Sequence, residues 1–497
     1  ISSLNTEYPV LTLYLLTRGY FLEHNEAKFT ERREKVYTCM RIPKELEKLM
    51  IFGFFLCMDA FLYVFTLLPL RVLLAVLRLL TLPCCGFRGT RLLQPAHVCD
   101  ILKASILVLS FSMTHYLDYS MMYHLIRGQS IIKLYIIYNM LEVADRLFSS
   151  FGQDILDALY WTATEPKNRK RDSIGVIPHF IMAVFYVFFH TILIMIQAST
   201  LNVAFNSHNK SLLTIMMSSN FVEIKGSVFK KFGKNNLFQM SNSDIKERFT
   251  NHVLLLIVCL RNMEQFSWKP DYMWGLVPDV IMVIISEVAV DVVKHAFITK
   301  FNDISADVYS EYRASLAFDL VSSRQKNACT DYSDSVARRM GFIPLPVAVL
   351  LIRVLMNSVK VQGALSYTCV LLFYLGLVTL KLLNSIVLLG KSCVYVKRAK
   401  MEDKLFERHI AANPGHPPPS SSSVTSQPTP RTDLFPTPTT DYSCSSPSDS
   451  PSASPPETEE PRPPPAEDEE ETQGPSQPKH RTLLDIDRFT LCGNRID

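Results

Sequence analysis

The chain has 497 residues, 48% of them hydrophobic and 20% charged, with a mean hydropathy of +0.13; that balance describes an apolar body joined to polar extensions. The net charge of +4 hides a run, Glu457–Glu471, with eight acids against one arginine, so the remainder is basic in a way that suits anionic lipid headgroups. Eleven cysteines without a CxxC pair exclude a disulfide framework and a zinc module, and no aromatic-studded basic strand supports a nucleic-acid reader.

The chain starts at Ile1 rather than Met, so a native upstream portion is expected to be missing, and nothing here resembles a cleavable signal peptide. Residues 1–48 form a charged cytosolic segment in which Gly19–Lys48 is expected to be a short helix leading to the first span. Leu49–Leu70, "LMIFGFFLCMDAFLYVFTLLPL", carries only Asp59 as a charge and is long enough to cross a hydrocarbon core as a helix. Val72–Leu82 is expected to be a half-segment that enters and returns, ending at Pro83. Cys84 and Cys85 follow it among arginines and are palmitoylation candidates.

Further candidate membrane segments are 104–126, 177–198, 274–293, 342–359 and 364–389, with 253–260 too short to cross. The last two candidates are expected to form a helical hairpin, and the basic run after them suggests a cytosolic C-terminus. Asn209-Lys210-Ser211 is a glycosylation sequon, expected to stay unmodified because the lysines that follow argue for the cytosol. Lys300–Lys326 reads as a helix outside the membrane, capped by Asn302 or Asp303, with Ile304, Val308, Tyr312, Leu316 and Leu320 along one side. The Pro/Ser/Thr-rich and acidic tail, 399–482, is expected to be disordered, and a short apolar motif, 483–497, closes the chain. The fold class expected is therefore all-α: a polytopic helical membrane protein with interfacial amphipathic helices and a disordered tail.

The reactive-looking residues fall into two groups. In "KLYIIYNMLEVADRLFSSFGQDILDALYW" (Lys133–Trp161), Glu142 precedes Arg146 by four residues, a favourable helical ion pair. Ser149 or Ser150 is expected to cap a second helix after Gly152, with Asp154 at its positive end, leaving Asp145 and Asp157 free and solvated. Carboxylates alone can hold magnesium, but no nearby histidine or phosphate-cradling loop supports a metal or catalytic site here. The second group is the intramembrane charges Asp279, Glu287, Asp291, Arg353 and Lys381. Such groups default to a functional hypothesis. Glu287 and Asp291 share a helix face and are expected to pair with Arg353 or Lys381, or to line an ion path. His115, His190 and His252 are expected to be packed or interfacial. Neither GxxxxGK[ST] nor a strand-following GxGxxG is present, so no cofactor and no enzymatic activity are expected.

The run "LIRGQSIIKLYIIYNMLEVADRLFSSFGQDILDALYWTATEP" (Leu125–Pro166) resembles the transmembrane anterior posterior transformation protein family, also called the cytomegalovirus-receptor family. "LTRGYFLEHNEAKFTERREKVYTC", "NKSLLTIMMSSNFVEIKGSVFKKF" and "LLDIDRFTLCGNRID" resemble it as well, whereas Asn413–His480 lies outside the resemblance. The resemblance implies a multi-pass protein of the endoplasmic reticulum membrane without an established catalytic residue. It also implies a SUN-domain membrane protein as partner, association with the centrosome or ciliary basal body, and roles in primary cilium formation and in axial skeletal and cartilage patterning. The motif-bearing positions are Tyr135, Asn139, Glu142, Asp145, Arg146, Asp154 and Asp157. The function expected is a scaffold or adaptor of the early secretory pathway whose tail recruits cytosolic partners. The alternatives are a transporter using Asp279, Glu287 and Asp291, or a receptor transmitting developmental signals.

Overall fold

The computed structural model describes residues 26–85, 95–164, 175–207, 222, 224–323, 332–358 and 363–399, without the side chains of 80–85, 332 and 333. The Cys84 and Cys85 side chains, the sequon at Asn209, the run Lys167–Arg171 and the tail from 400 onward lie outside the described residues. Those described form helices and turns, with no strand among them.

Helix α1, Glu26–Phe65, merges the charged lead-in and the first apolar segment into one element of 40 residues. It breaks at Thr66 and resumes as α2, Leu67–Cys85. The break has a local cause: Pro69 has no N–H for the Phe65 carbonyl, and its ring crowds that carbonyl. The Thr66 hydroxyl instead donates to the Leu62 carbonyl at 2.7 Å, and Tyr374 donates to the Thr66 carbonyl at 2.9 Å. Val72–Leu82, expected as a separate half-segment, is the interior of α2.

The apolar run 104–126 is divided between α3, Pro95–His115, and α4, Tyr119–Arg127. Asp118, read as a charge inside a span, is the cap that starts α4 and accepts from the Ser120 amide at 3.0 Å. The freed end of α3 is covered by Arg353, whose guanidinium donates to the carbonyls of Thr114 and Leu117.

Helix α5, Ile131–Thr164, is continuous, which corrects the expected second helix after Gly152. It is followed by α6, Val176–Asn206, and α7, Lys234–Gln265. The short apolar run 253–260 is the interior of α7. Helix α8, Pro270–Phe301, opens on a proline in its first turn and contains 274–293. Asn302 closes α8 rather than opening the next helix, which is α9, Val308–Ser322. The expected apolar side is corrected in a second respect: α9 is buried nearly all round rather than along one side, from Val308 and Tyr309 to Phe318 and Leu320.

Helices α10, Tyr332–Arg339, α11, Pro344–Ser358, and α12, Ala364–Arg398, complete the body. Helix α11, the candidate 342–359, has 15 residues and spans only about 22 Å. It packs on α6, α7, α1 and α3 rather than along α12, so the expected hairpin is replaced by a buried core helix beside a peripheral one. Among the described residues, four helical runs are long and apolar enough to cross a membrane: α1–α2, α3, α6 and α12. The core forms around α1 and α6. Helix α1 packs against α7, α8, α9, α10, α11 and α12, while α6 packs against α3, α4, α5, α7 and α11.

Candidate functional site

Gly152 lets α5 approach α6. A Cβ there would overlap the end of the Tyr186 ring, so the position requires glycine for proximity. One helical turn along, Tyr186 Oη lies 2.9 Å from His190 Nδ1, and His190 Nε2 lies 2.8 Å from Asp145. The carboxylate fixes the tautomer: Nε2–H donates to Asp145, leaving Nδ1 to accept from tyrosine. Lys246 of α7 donates to Asp145 at 2.9 Å and to Ser149 at 2.5 Å. Asp145, expected to be free and solvated, therefore joins three helices, and its histidine comes from a segment distant in sequence.

Around this cluster, Arg146 donates to Glu142 at 2.9 Å, as its four-residue spacing requires, and to Glu247 at 3.0 Å. Tyr138, Glu142, Asp145, Lys246, Gln197 and Asn251 line a cleft of about 30 Å³. That is room for water-sized occupants. Gln197 Oε1 is buried without a hydrogen-bond partner.

Next along α7 and α8 is a ladder of paired charges. Asn251 donates to Glu287 at 2.9 Å; Arg248 joins Asp291 at 2.7 Å and Glu47 at 3.1 Å. Lys294 sits 2.9 Å from Asp244, and His295 bridges Asp244 at 2.8 Å and Tyr309 at 2.9 Å. The pairs 251 with 287, 248 with 291 and 244 with 294, falling along α7 as they rise along α8, show that the two helices run antiparallel. The expected pairing of Glu287 and Asp291 with Arg353 or Lys381 is corrected. Asp291 uses Arg248, while Lys381 on α12 forms a fully buried pair with Asp59 on α1. Asn384 and Ser385 donate to the same carboxylate at 3.1 and 2.8 Å. Asp279 is half-buried, as are Tyr135 and Asn139.

At the far end of α5, Asp157 pairs with Arg338 of α10, and Gln153 donates to the Arg338 carbonyl. Asp154 is exposed and lies in mid-helix, away from any positive helix end. Lys103 of α3 pairs with Asp334 at 2.8 Å and lies over the rings of Tyr63 and Tyr160. Burial pushes the Asp334 carboxyl up, but the charges of Lys103 and Arg338 outweigh it and hold the group below the usual carboxylate range.

Sequence reasoning did not assign His190, Lys246, Arg248, Asp244, His295 or Asp334 to these clusters. The available signal was the alternation of charge at Asp244, Lys246 and Arg248 just ahead of the apolar run 253–260, since charges facing different neighbours around one helix imply partners on several sides. Among the described residues, no group of three or more His, Cys, Asp or Glu is placed to hold a metal ion. Chemically, the arrangement joins helices through paired charges.

Residues 93–397 match the model of a "Eukaryotic membrane protein family". The chain is 73% identical to the Transmembrane anterior posterior transformation protein 1 homolog of Danio rerio, with 97% of this chain and 87% of that protein covered. The chain belongs to the transmembrane anterior posterior transformation protein 1 family. Within this family it is also 72% identical to the Homo sapiens homolog, over 97% of this chain and 86% of that protein. It is 50% identical to the Drosophila melanogaster Protein TAPT1 homolog, over 80% of this chain and 60% of that protein. No solved structure matches the chain. Family membership and the apolar helices together make this a helical membrane protein.

Proposed function

We propose that this chain is a non-enzymatic, multi-pass scaffold or adaptor of the early secretory pathway, residing in the endoplasmic reticulum membrane. The observation that carries the reading is the pairing of its buried acids: Asp59, Asp145, Asp244 and Asp291 each meet a cation from another helix. Paired in this way, they fix the mutual positions of α1, α5, α7, α8 and α12, as a platform for partners requires. The family resemblance supports a SUN-domain membrane protein as one partner and a place at the centrosome or basal body in cilium formation. The relatives' printed name, with its anterior–posterior transformation, is in keeping with a developmental role in axial patterning. Lipid is the other partner; nucleic acid is not one.

A second reading, a solute transporter, draws on Glu287: its Oε2 is buried without a hydrogen-bond partner, and Asn251, its neighbour, lines the cleft. Purified protein in liposomes separates the two. The scaffold reading expects cation and proton flux no greater than in empty vesicles, together with stable co-purification of a SUN-domain protein from membranes. Reproducible flux that Glu287→Gln abolishes would replace it with transport.

A further inference from the structure

The apolar residues that α5 leaves uncovered follow a pattern. Ile132, Ile136, Met140, Val143, Leu147 and Phe151 are exposed and recur at three- and four-residue steps, so they form one stripe along the helix. The other face turns Asp145, Ser149, Gly152 and Gln153 into the protein. Asp145 lies inside and oil outside, the reverse of a surface helix in water, while the exposed Arg146 is paired with Glu142 and Glu247.

Register fixes the depth of this stripe. Gly152 abuts Tyr186, Asp145 meets His190, and Tyr138 shares the cleft with Gln197, so α5 runs antiparallel to α6. The pairing reaches the start of α6, where a Cβ on Gly175 would touch the Thr162 methyl. Helix α6 is long and apolar enough to cross a membrane, and it continues the exposed apolar surface through Ile177, Ile181, Phe185 and Phe189. From Ile132 to Phe151 the stripe covers about 28 Å at 1.5 Å per residue, close to the roughly 30 Å of a bilayer's hydrocarbon core. The three tryptophans of the chain lie beyond its two ends, Trp161 about 15 Å past Phe151 along α5 at 1.5 Å per residue. Exposed Trp161 lies near the start of α6; exposed Trp268 and Trp274 follow α7, which runs beside α6 and meets its other end through Asn262 and Asn206. Tryptophan favours the two membrane–water boundaries.

We propose that α5 crosses the bilayer beside α6, with the Ile132–Phe151 stripe against acyl chains and the Asp145–His190–Lys246 cluster at mid-depth inside the protein. Hydropathy misses this helix because Glu142, Asp145 and Arg146 interrupt its apolar window, yet their partners are protein groups. The two ends of α5 then emerge on opposite sides of the membrane. The basic run Lys167–Arg171 favours the cytosolic side for its C-terminal end.

Sealed microsomes carrying the full chain test this. Ser130→Cys and Asn168→Cys are labelled with a membrane-impermeant maleimide, and reaction is scored above the parent chain before and after detergent. One added thiol should react in sealed vesicles and the other only after permeabilisation; equal sidedness overturns the proposal. Depth is read separately with Leu147→Trp in a chain whose Trp161, Trp268 and Trp274 are phenylalanine. Lipids brominated deep in the acyl chain should quench that tryptophan more than lipids brominated near the headgroup. Stronger quenching by the shallow bromines, or none by either, overturns it.

Discussion

Gly152 places a specific demand on its neighbours. The Tyr186 ring occupies the volume a side chain would need, and that ring is held by its hydroxyl contact with His190 and by Phe148 at a centroid distance of 6.4 Å. It cannot swing aside without loosening the Asp145 cluster. Gly152→Ala should therefore lower stability by about 1–3 kcal/mol, the usual cost of overpacking, seen as a lower thermal unfolding midpoint in detergent–lipid micelles. Gly376, on α12, has open space where its Cβ would lie. Gly376→Ala should leave the midpoint unchanged or raise it, since alanine is favoured over glycine within a helix by about 1 kcal/mol. Equal losses at the two positions would contradict the close α5–α6 approach. The same region shows what can be read from sequence at this scale. Glu142 and Arg146 are legible because they lie one turn apart on one helix. The partners of Asp145 and Asp157 are not: His190, Lys246 and Arg338 stand 45, 101 and 181 residues away, brought near only by the fold.

At the scale of elements, α10 has 8 residues and no apolar run of its own, so its docking depends on charge as well as on Val336 and Ala337. Asp334 meets Lys103 of α3, and Arg338 meets Asp157 of α5. Because the Asp334 carboxyl is held below its ordinary value of about 4, its contribution is complete above that value and is lost as pH falls through the depressed one. Asp334→Asn should therefore be less stable than the parent near neutrality, with a gap that narrows only below about pH 4 and closes with further acidification. A gap that is constant from neutrality through the acid range would mean the carboxyl titrates alike in the folded and unfolded protein, so that its partners do not favour its ionised form. The long apolar helices were legible as elements because composition alone commits them. Boundaries were not: Gly152 and Asp118 look alike as breaks in sequence, yet one permits packing within a continuous helix and the other caps a new one. Likewise 342–359 is apolar enough for lipid, but it is short and lies in the interior, covered by α6, α7, α1 and α3.

Among the described residues of the whole molecule, charges that enter the helical body are paired between helices, while many large apolar side chains face outward. Buried charges sit at helix contacts: Asp59 with Lys381, Asp244 with Lys294, Asp291 with Arg248, Lys103 with Asp334. In compensation, large apolar residues are exposed along α2, α5, α6, α8 and α12, including Leu73, Leu147, Phe185, Ile285 and Leu372. In water such a surface would aggregate; in lipid it is the solvent-facing side, and the paired charges stay inside the protein. The membrane class was legible because that apolar excess appears in composition. The fraction of each helix that meets lipid was not, because inward charges lower the hydropathy of α5 and α8 without exposing them. The central claim is tested most directly by mapping, across the unaltered full chain in bilayers, where an acyl-chain diazirine phospholipid attaches after illumination. The account predicts adducts on the exposed residues of α2, α5, α6, α8 and α12 and none on α9 or on the buried stretch Pro344–Val354 of α11; adducts on α9 or on that stretch, or a bare α5, would contradict it.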